Sequence, residues 1–105
     1  MKKGEIILLP FPFTDLSGAK TRPALVLMET EFDVIVSFIT TQTNLKEPSD
    51  IILPSDKLTG LKKESLLRLN KIATIDKDIV LGKLGEVDNK TSDKINSNLV
   101  KLFDL

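Results

Sequence analysis

The chain has no cysteine, histidine, tryptophan or tyrosine, and its 105 residues carry no formal net charge. Without cysteine there are no disulfides, zinc–thiolate sites or haem-attachment motifs. Without histidine there is no Ser–His or Cys–His nucleophile and no imidazole acid/base pair, so any chemistry must proceed without the side chain that ordinarily titrates near neutral pH. The only aromatics are five Phe, so the core must be aliphatic. A balance of 15 basic and 15 acidic side chains excludes a generally basic nucleic-acid binder and confines any such site to a local patch. No apolar run approaches the roughly 20 residues of a membrane helix. The run at residues 6–9, closed by Pro10, is too short for a signal-peptide core. A cytoplasmic protein with no membrane partner is the expectation, and the cysteine-free composition suits it.

What is present is patterned for β-structure. Hydrophobic residues make up 41% of the chain, enough for one modest core in one domain spanning 1–105. Residues 4–9, 22–28, 33–40, 50–53 and 65–74 read as strands, with a last short one near 82–87. Pro10 and Pro12 are expected to end the first. Imperfect alternation in the fifth predicts a bulge. Residues 11–20 form a Pro-, Asp-, Ser- and Gly-bearing loop, long for a hairpin in a small domain. At the C-terminus the period changes. Asp88 or Asn89 can cap a helix whose apolar stripe is Ile95, Leu99, Leu102 and Phe103. The predicted fold class is mainly β, a small barrel with a C-terminal α-helix.

Glycine-rich phosphate-binding motifs are absent. Asp76 with Asp78, and Asp15 with Ser17, lack a third partner at metal-ligand spacing and read as solvated turn residues; no metal or cofactor is expected. Two segments stand above this background. Arg22 lies at the mouth of an apolar strand, pinned by Pro23 and preceded by the Gly18 loop, where a planar guanidinium can meet phosphate oxygens. Thr40, Thr41, Gln42, Thr43 and Asn44 crowd hydroxyls and amides at the exit of the third strand. Taken singly, a solubilising Arg and an ordinary polar turn account for both.

Taken together and in order, these segments resemble the MazF/PemK family of toxin ribonucleases from bacterial toxin–antitoxin systems. The similarity rests on Gly4-Glu5-Ile6-Ile7, Arg22-Pro23-Ala24-Leu25-Val26-Leu27, the strand ending in Thr40-Thr41-Gln42, and the late stretch Ser65 to Asp76. It spans nearly the whole chain. Pro10 to Asp15 looks like a variant of the family's first loop, whereas Ala19-Lys20 after Gly18 departs from the acidic residue and Gln that many members carry there.

The resemblance implies an SH3-like barrel, a two-fold homodimer, and metal-independent cleavage of single-stranded RNA that leaves 2′,3′-cyclic phosphate and 5′-OH ends. It also implies a cognate antitoxin that blocks the RNA groove. By resemblance Arg22 and Thr40 are catalytic, with Thr41 the alternative should the register be off by one. Phe13, Ser17, Gly18, Lys20, Thr41 and Gln42 are the expected substrate contacts. Phe11 or Phe13 can stack on a base or pack in the core; Lys62, Lys63 and Arg68 can touch phosphate or merely be solvated. Glu29, Asp15 and a bound water are each candidates for general base. Two other functions stay open. One is a CcdB-like gyrase-binding toxin, against which the lack of Trp argues. The other is a non-catalytic RNA-binding barrel, which zero net charge mildly favours.

Overall fold

The β-branched and leucine-rich segments pair into one antiparallel sheet in the computed structural model, which describes residues 1–11, 20–44 and 46–105, with Phe11 described by its backbone alone. The strands are β1 (Glu5–Phe11), β2 (Lys20–Glu29), β3 (Asp33–Thr40), β4 (Ile51–Leu53), β5 (Ser65–Asp76) and β6 (Gly82–Glu86), followed by helix α1 (Asn89–Leu102). Their order across the sheet is β4-β5-β3-β2-β1-β6. The sheet curls into a half-barrel, as the mainly-β expectation required.

Side chains alternate across a strand, and here both faces are covered, which explains the near-continuous apolar runs. Ile6, Leu25, Ile39, Leu67 and Leu69 share one buried cluster with Ile95 of α1. Ile7, Leu9, Ala24, Val26, Val34, Val36 and Ile75 form the second, on the opposite face. Fully burying one such aliphatic side chain stabilises by about 1.5–3 kcal/mol. The helix seats Ile95, Leu99 and Leu102 on the first cluster. Phe103, expected in the same stripe, is instead its C-cap and is more than half exposed. At the other end the Asp88 carboxylate accepts from the Thr91 N–H at 2.8 Å, the capping arrangement read from sequence.

One proline sits differently from expectation, and Pro12 lies outside the described residues. Pro10 does not end β1, which runs on to Phe11 and pairs Pro10 with Thr21. The missing N–H is tolerated because β6 pairs with β1 only as far as Leu8↔Gly82. Beyond that point one side of β1 is an edge, where proline belongs.

The bulge expected in β5 is real and large. Ser37 pairs with Ile72 and the next residue, Phe38, with Arg68, so Leu69, Asn70 and Lys71 are left opposite nothing. The irregularity exchanges the faces of β5: Leu67 and Leu69 lie in the first cluster, Ile75 in the second. Ser37, fully buried, donates its hydroxyl to the Leu69 carbonyl at 3.1 Å and so satisfies a backbone group that the bulge would otherwise orphan.

The half-barrel closes through a loop, not through strand pairing. The Glu86 N–H donates to the Leu58 carbonyl at 2.9 Å, which brings the loop after β4 onto β6. Two glycines permit the approach. A Cβ on Gly85 would lie 2.3 Å from the carbonyl oxygens of Leu58 and Thr59, and one on Gly60, itself at φ +69°, would lie 2.2 Å from that of Leu84. Backbone oxygens cannot swing aside as a side chain can. Gly85→Ala is therefore expected to lower unfolding stability by about 1–3 kcal/mol, read as a lower midpoint in urea. An unchanged midpoint would show that the seam is not tightly packed.

Candidate active site

The β2–β3 ladder runs from Glu29↔Val34 to Ala24↔Phe38 and stops there. The next residue of β2 is Pro23, which has no N–H to offer a ladder. Continuing the register of that last pair sets Arg22 opposite Thr40. Residues opposite one another in an antiparallel pair share a face, with Cβ atoms about 4.5–5.5 Å apart. Where the pairing lapses, a pocket of roughly 340 Å³ opens, lined by Arg22, Pro23, Phe38, Ile39, Thr40, Thr41 and Gln42. The proline thus fixes Arg22 at the strand mouth and keeps the strands from zipping shut over it.

The Thr40 hydroxyl oxygen accepts from the Gln42 N–H at 3.1 Å. That bond occupies one lone pair and leaves the hydroxyl proton available for donation. Thr40 is half-buried and anchored in β3, where it pairs with Leu66 of β5. Thr41 lies past the end of the strand and is exposed. Of the expected substrate contacts, Thr41 and Gln42 line the pocket with Arg22 and Thr40. Lys20, the first residue of β2, pairs with Phe11 and is exposed. It shares a strand face with Arg22 but does not line the pocket. Phe13, Ser17, Gly18 and Asp15 lie outside the described residues, as does the Phe11 side chain.

One pocket residue was missed in the sequence: Phe38. It sits two positions before Thr40 on β3 and packs at the margin of the second core cluster. The signal was there, since residues i and i+2 of a strand share a face.

Charge is distributed as a neutral chain with a local site requires. Antiparallel pairing brings the start of β2, the end of β3 and the start of β5 to one end of the sheet. Exposed Lys20, Arg22, Lys62 and Lys63 gather there, with Glu64 beside them. Arg68 is engaged otherwise: its guanidinium bonds Glu47 at 3.1 Å and lies 3.7 Å from Asp50. Glu29 is at the opposite end, paired with Val34. Its carboxylate meets Lys77 at 2.7 Å and also the chain's amino terminus. The bonds from Lys77 and then the terminal amine pull its pKa down to about 2. A carboxylate so acidic, and seven residues from Arg22 along β2, or roughly 23 Å, is no base for this pocket.

Two larger hollows lie elsewhere. One of about 410 Å³ is bounded by Glu47, Ser49, Asn70, Asn98 and Lys101. One of about 400 Å³ is almost wholly apolar, between Leu27, Met28, Ile72 and the end of α1. The first sets the carboxylate of Glu47 beside Lys101 and Ser49, and the second has almost no polar lining, whereas the pocket at Arg22 joins a cation and two hydroxyls with no carboxylate among its described lining. Among the described residues no three acidic side chains converge in a way that could hold a metal ion, and no helix is long and apolar enough to cross a membrane.

A cation and hydroxyls lining one pocket at the mouth of a curled six-stranded sheet define a small β-fold protein with a polar, cation-bearing pocket. The profile of the PemK-like, MazF-like toxins of type II toxin–antitoxin systems matches residues 2–103, and the chain belongs to that family. The curated proteins contain no match. Among solved structures, an endoribonuclease in complex with its cognate antitoxin from a mycobacterial species superposes with a TM-score of 0.78 at 24% identity, covering 100% of this chain and 96% of that one. The Mycobacterium tuberculosis toxin MazF-mt6 gives 0.77 at 21% identity, covering 96% and 97%. A second mycobacterial endoribonuclease gives 0.73 at 26% identity, covering 100% and 92%.

The ion pairs of Glu29 carry a pH signature. Its folded pKa lies below the ordinary 4.5, so its stabilising contribution is present above about pH 4.5 and fades as pH falls toward 2. Urea midpoints for wild type and Glu29→Gln should therefore differ at pH 7 and converge in acid, while the variant keeps the activity of the parent. A large loss of activity would return Glu29 to the site.

Proposed function

We propose that this chain is a sequence-selective endoribonuclease toxin that cuts single-stranded RNA, mRNA included, without a metal ion. The observation that carries the reading is a single pocket lined by both Arg22 and Thr40, just past the point where the β2–β3 ladder ends at Ala24↔Phe38. RNA brings its own nucleophile in the 2′-OH. The protein then has two tasks, to hold the 2′-oxygen, phosphorus and leaving 5′-oxygen in line and to stabilise charge growing on the non-bridging oxygens. Neither needs histidine. Arg22 supplies a fixed planar cation that does not deprotonate, so its role is electrostatic. Thr40, its oxygen already accepting from Gln42, donates its proton to a second phosphate oxygen. Attack of the 2′-oxygen forms the 2′,3′-cyclic phosphate as the bond to the 5′-oxygen breaks, and that oxygen leaves as a 5′-OH after protonation. Asp15 and a bound water are the candidate bases. Thr41, Gln42 and Lys20, with Phe13, Ser17 and Gly18, contact the neighbouring nucleotides. Neutralisation is by a cognate antitoxin, a short acidic and partly disordered segment that covers the Lys20, Arg22, Lys62 and Lys63 end of the sheet.

The same reading includes a two-fold homodimer. Met28, Ile72, Val100, Phe103 and Leu105 are exposed around the apolar hollow beside α1, and a contiguous apolar surface of this kind is one that association buries. Sedimentation of the purified protein reports the oligomeric state.

Purified protein incubated with single-stranded RNA in EDTA should give fragments with 2′,3′-cyclic phosphate and 5′-OH ends. Intact RNA after long incubation would favour a non-catalytic RNA-binding barrel, and gyrase inhibition in its place would favour a CcdB-like toxin. Arg22→Lys should lower kcat by roughly a hundredfold or more although charge is kept, because the planar donor geometry goes. Thr40→Ala should impair cleavage more than Thr41→Ala. The reverse order would place the reacting phosphate on the other side of β3.

A further inference from the structure

The connection from Thr40 to Ile51 has an unusual task. Both β3 and β4 run antiparallel to β5, on its two sides, so they are parallel to each other and the chain between them must cross β5. Arg68 stands beneath that crossing. It is the Cα partner of Phe38, hence on the same face as Phe38 and Thr40, and a diagonal neighbour of Thr40 about 7–8 Å away. Its guanidinium bonds Glu47 at 3.1 Å and faces Asp50 at 3.7 Å. The Asp50 carboxylate, wholly buried, also accepts from the Glu47 N–H at 2.7 Å, and Asn70 donates to Glu47 from the β5 bulge. Asp50 Oδ1 and Arg68 Nε lack hydrogen-bond partners. The cluster is thus held by charge as much as by hydrogen bonds, and a buried charge left without its counter-ion is costly.

We propose that Arg68 is a positioning residue: by gripping Glu47 and Asp50 it holds the crossing segment against β5 and so sets the Thr40–Gln42 turn at the Arg22 pocket, without itself touching RNA. The proposal rests on the ribonuclease reading for its kinetic consequences, though not for its structural ones. The Thr40 hydroxyl accepts from the Gln42 N–H, and Gln42 begins the segment whose far end Arg68 grips. Loosening that end frees the Gln42 amide, and with it the direction in which the Thr40 proton points.

The test uses Arg68→Met, which removes the cation while keeping much of the apolar stem, Arg68→Lys, which keeps the charge with a single donor group, and Glu47→Gln, an exposed change that leaves the buried Asp50 pair in place. Amide hydrogen exchange is followed at residues 40–44 and, as a control for global stability, along the β1–β6 ladder. Steady-state cleavage of a single-stranded RNA is measured across a salt series. Expected are faster exchange at 40–44 with an unchanged β1–β6 ladder, and a kcat lowered about tenfold or more by Arg68→Met. KM should stay within about twofold and the salt slope should not change, with Glu47→Gln and Arg68→Lys intermediate. In a Thr40→Ala background, Arg68→Met should cost little more, since the two act through one group. Unchanged exchange at 40–44 in Arg68→Met would overturn the proposal. So would a loss confined to KM with a salt slope shallower by about one charge, the mark of a direct phosphate contact. If the parent protein cleaves no RNA, the ribonuclease reading fails, and the exchange pattern alone still decides whether Arg68 holds the turn.

Discussion

The pairing of Ala24 with Phe38 is the contact on which the site depends. It sets the register of β2 against β3, and a slip of one residue would turn Arg22 and Thr40 to opposite faces of the sheet. That register is enforced from within. Val26 and Val36 are partners in the same ladder and both belong to the second buried cluster. A shift would take these side chains out of the cluster they fill and misfit them against the other face. The geometry at the pocket is therefore set in large part by the core beneath it. Pro23 follows at the point where the ladder ends and the pocket opens.

The rest of the barrel supports this arrangement at a distance. The bulge in β5 lets one strand serve both core clusters, with Ser37 supplying the hydrogen bond that makes the irregularity tolerable. The seam at Gly60 and Gly85 joins the two sheet edges through backbone alone. Each device sacrifices regular pairing in return for curvature. A flat six-stranded sheet would not bring its edges together.

Much of this was legible in the chain. The strands fell where β-branched runs and turn residues put them, because a sheet buried on both faces leaves a continuous apolar signature. The helix was legible from its change of period and from Asp88. Less legible were features that depend on which strands neighbour which. Pro10 read as a terminator because sequence does not reveal that β6 stops short of it. Arg68 read as a solvated side chain or a phosphate contact because its partners Glu47 and Asp50 are some twenty residues away and reach it only through the crossing of β5. Glu29 read as a candidate base because a strand shows its residues in line but not which end of the sheet they occupy. The Arg22–Thr40 pair came from resemblance; composition alone would have left it as a strand end and a polar turn.

β5 has a further consequence for how the protein is made. Arg22 and Thr40 are both synthesised before the strand that flanks β3 and anchors the crossing segment, which begins only at Ser65. Until it arrives, β3 is an open edge and the turn after Thr40 has nothing beneath it. A nascent chain thus carries Arg22 and Thr40 before it carries the frame that aligns them.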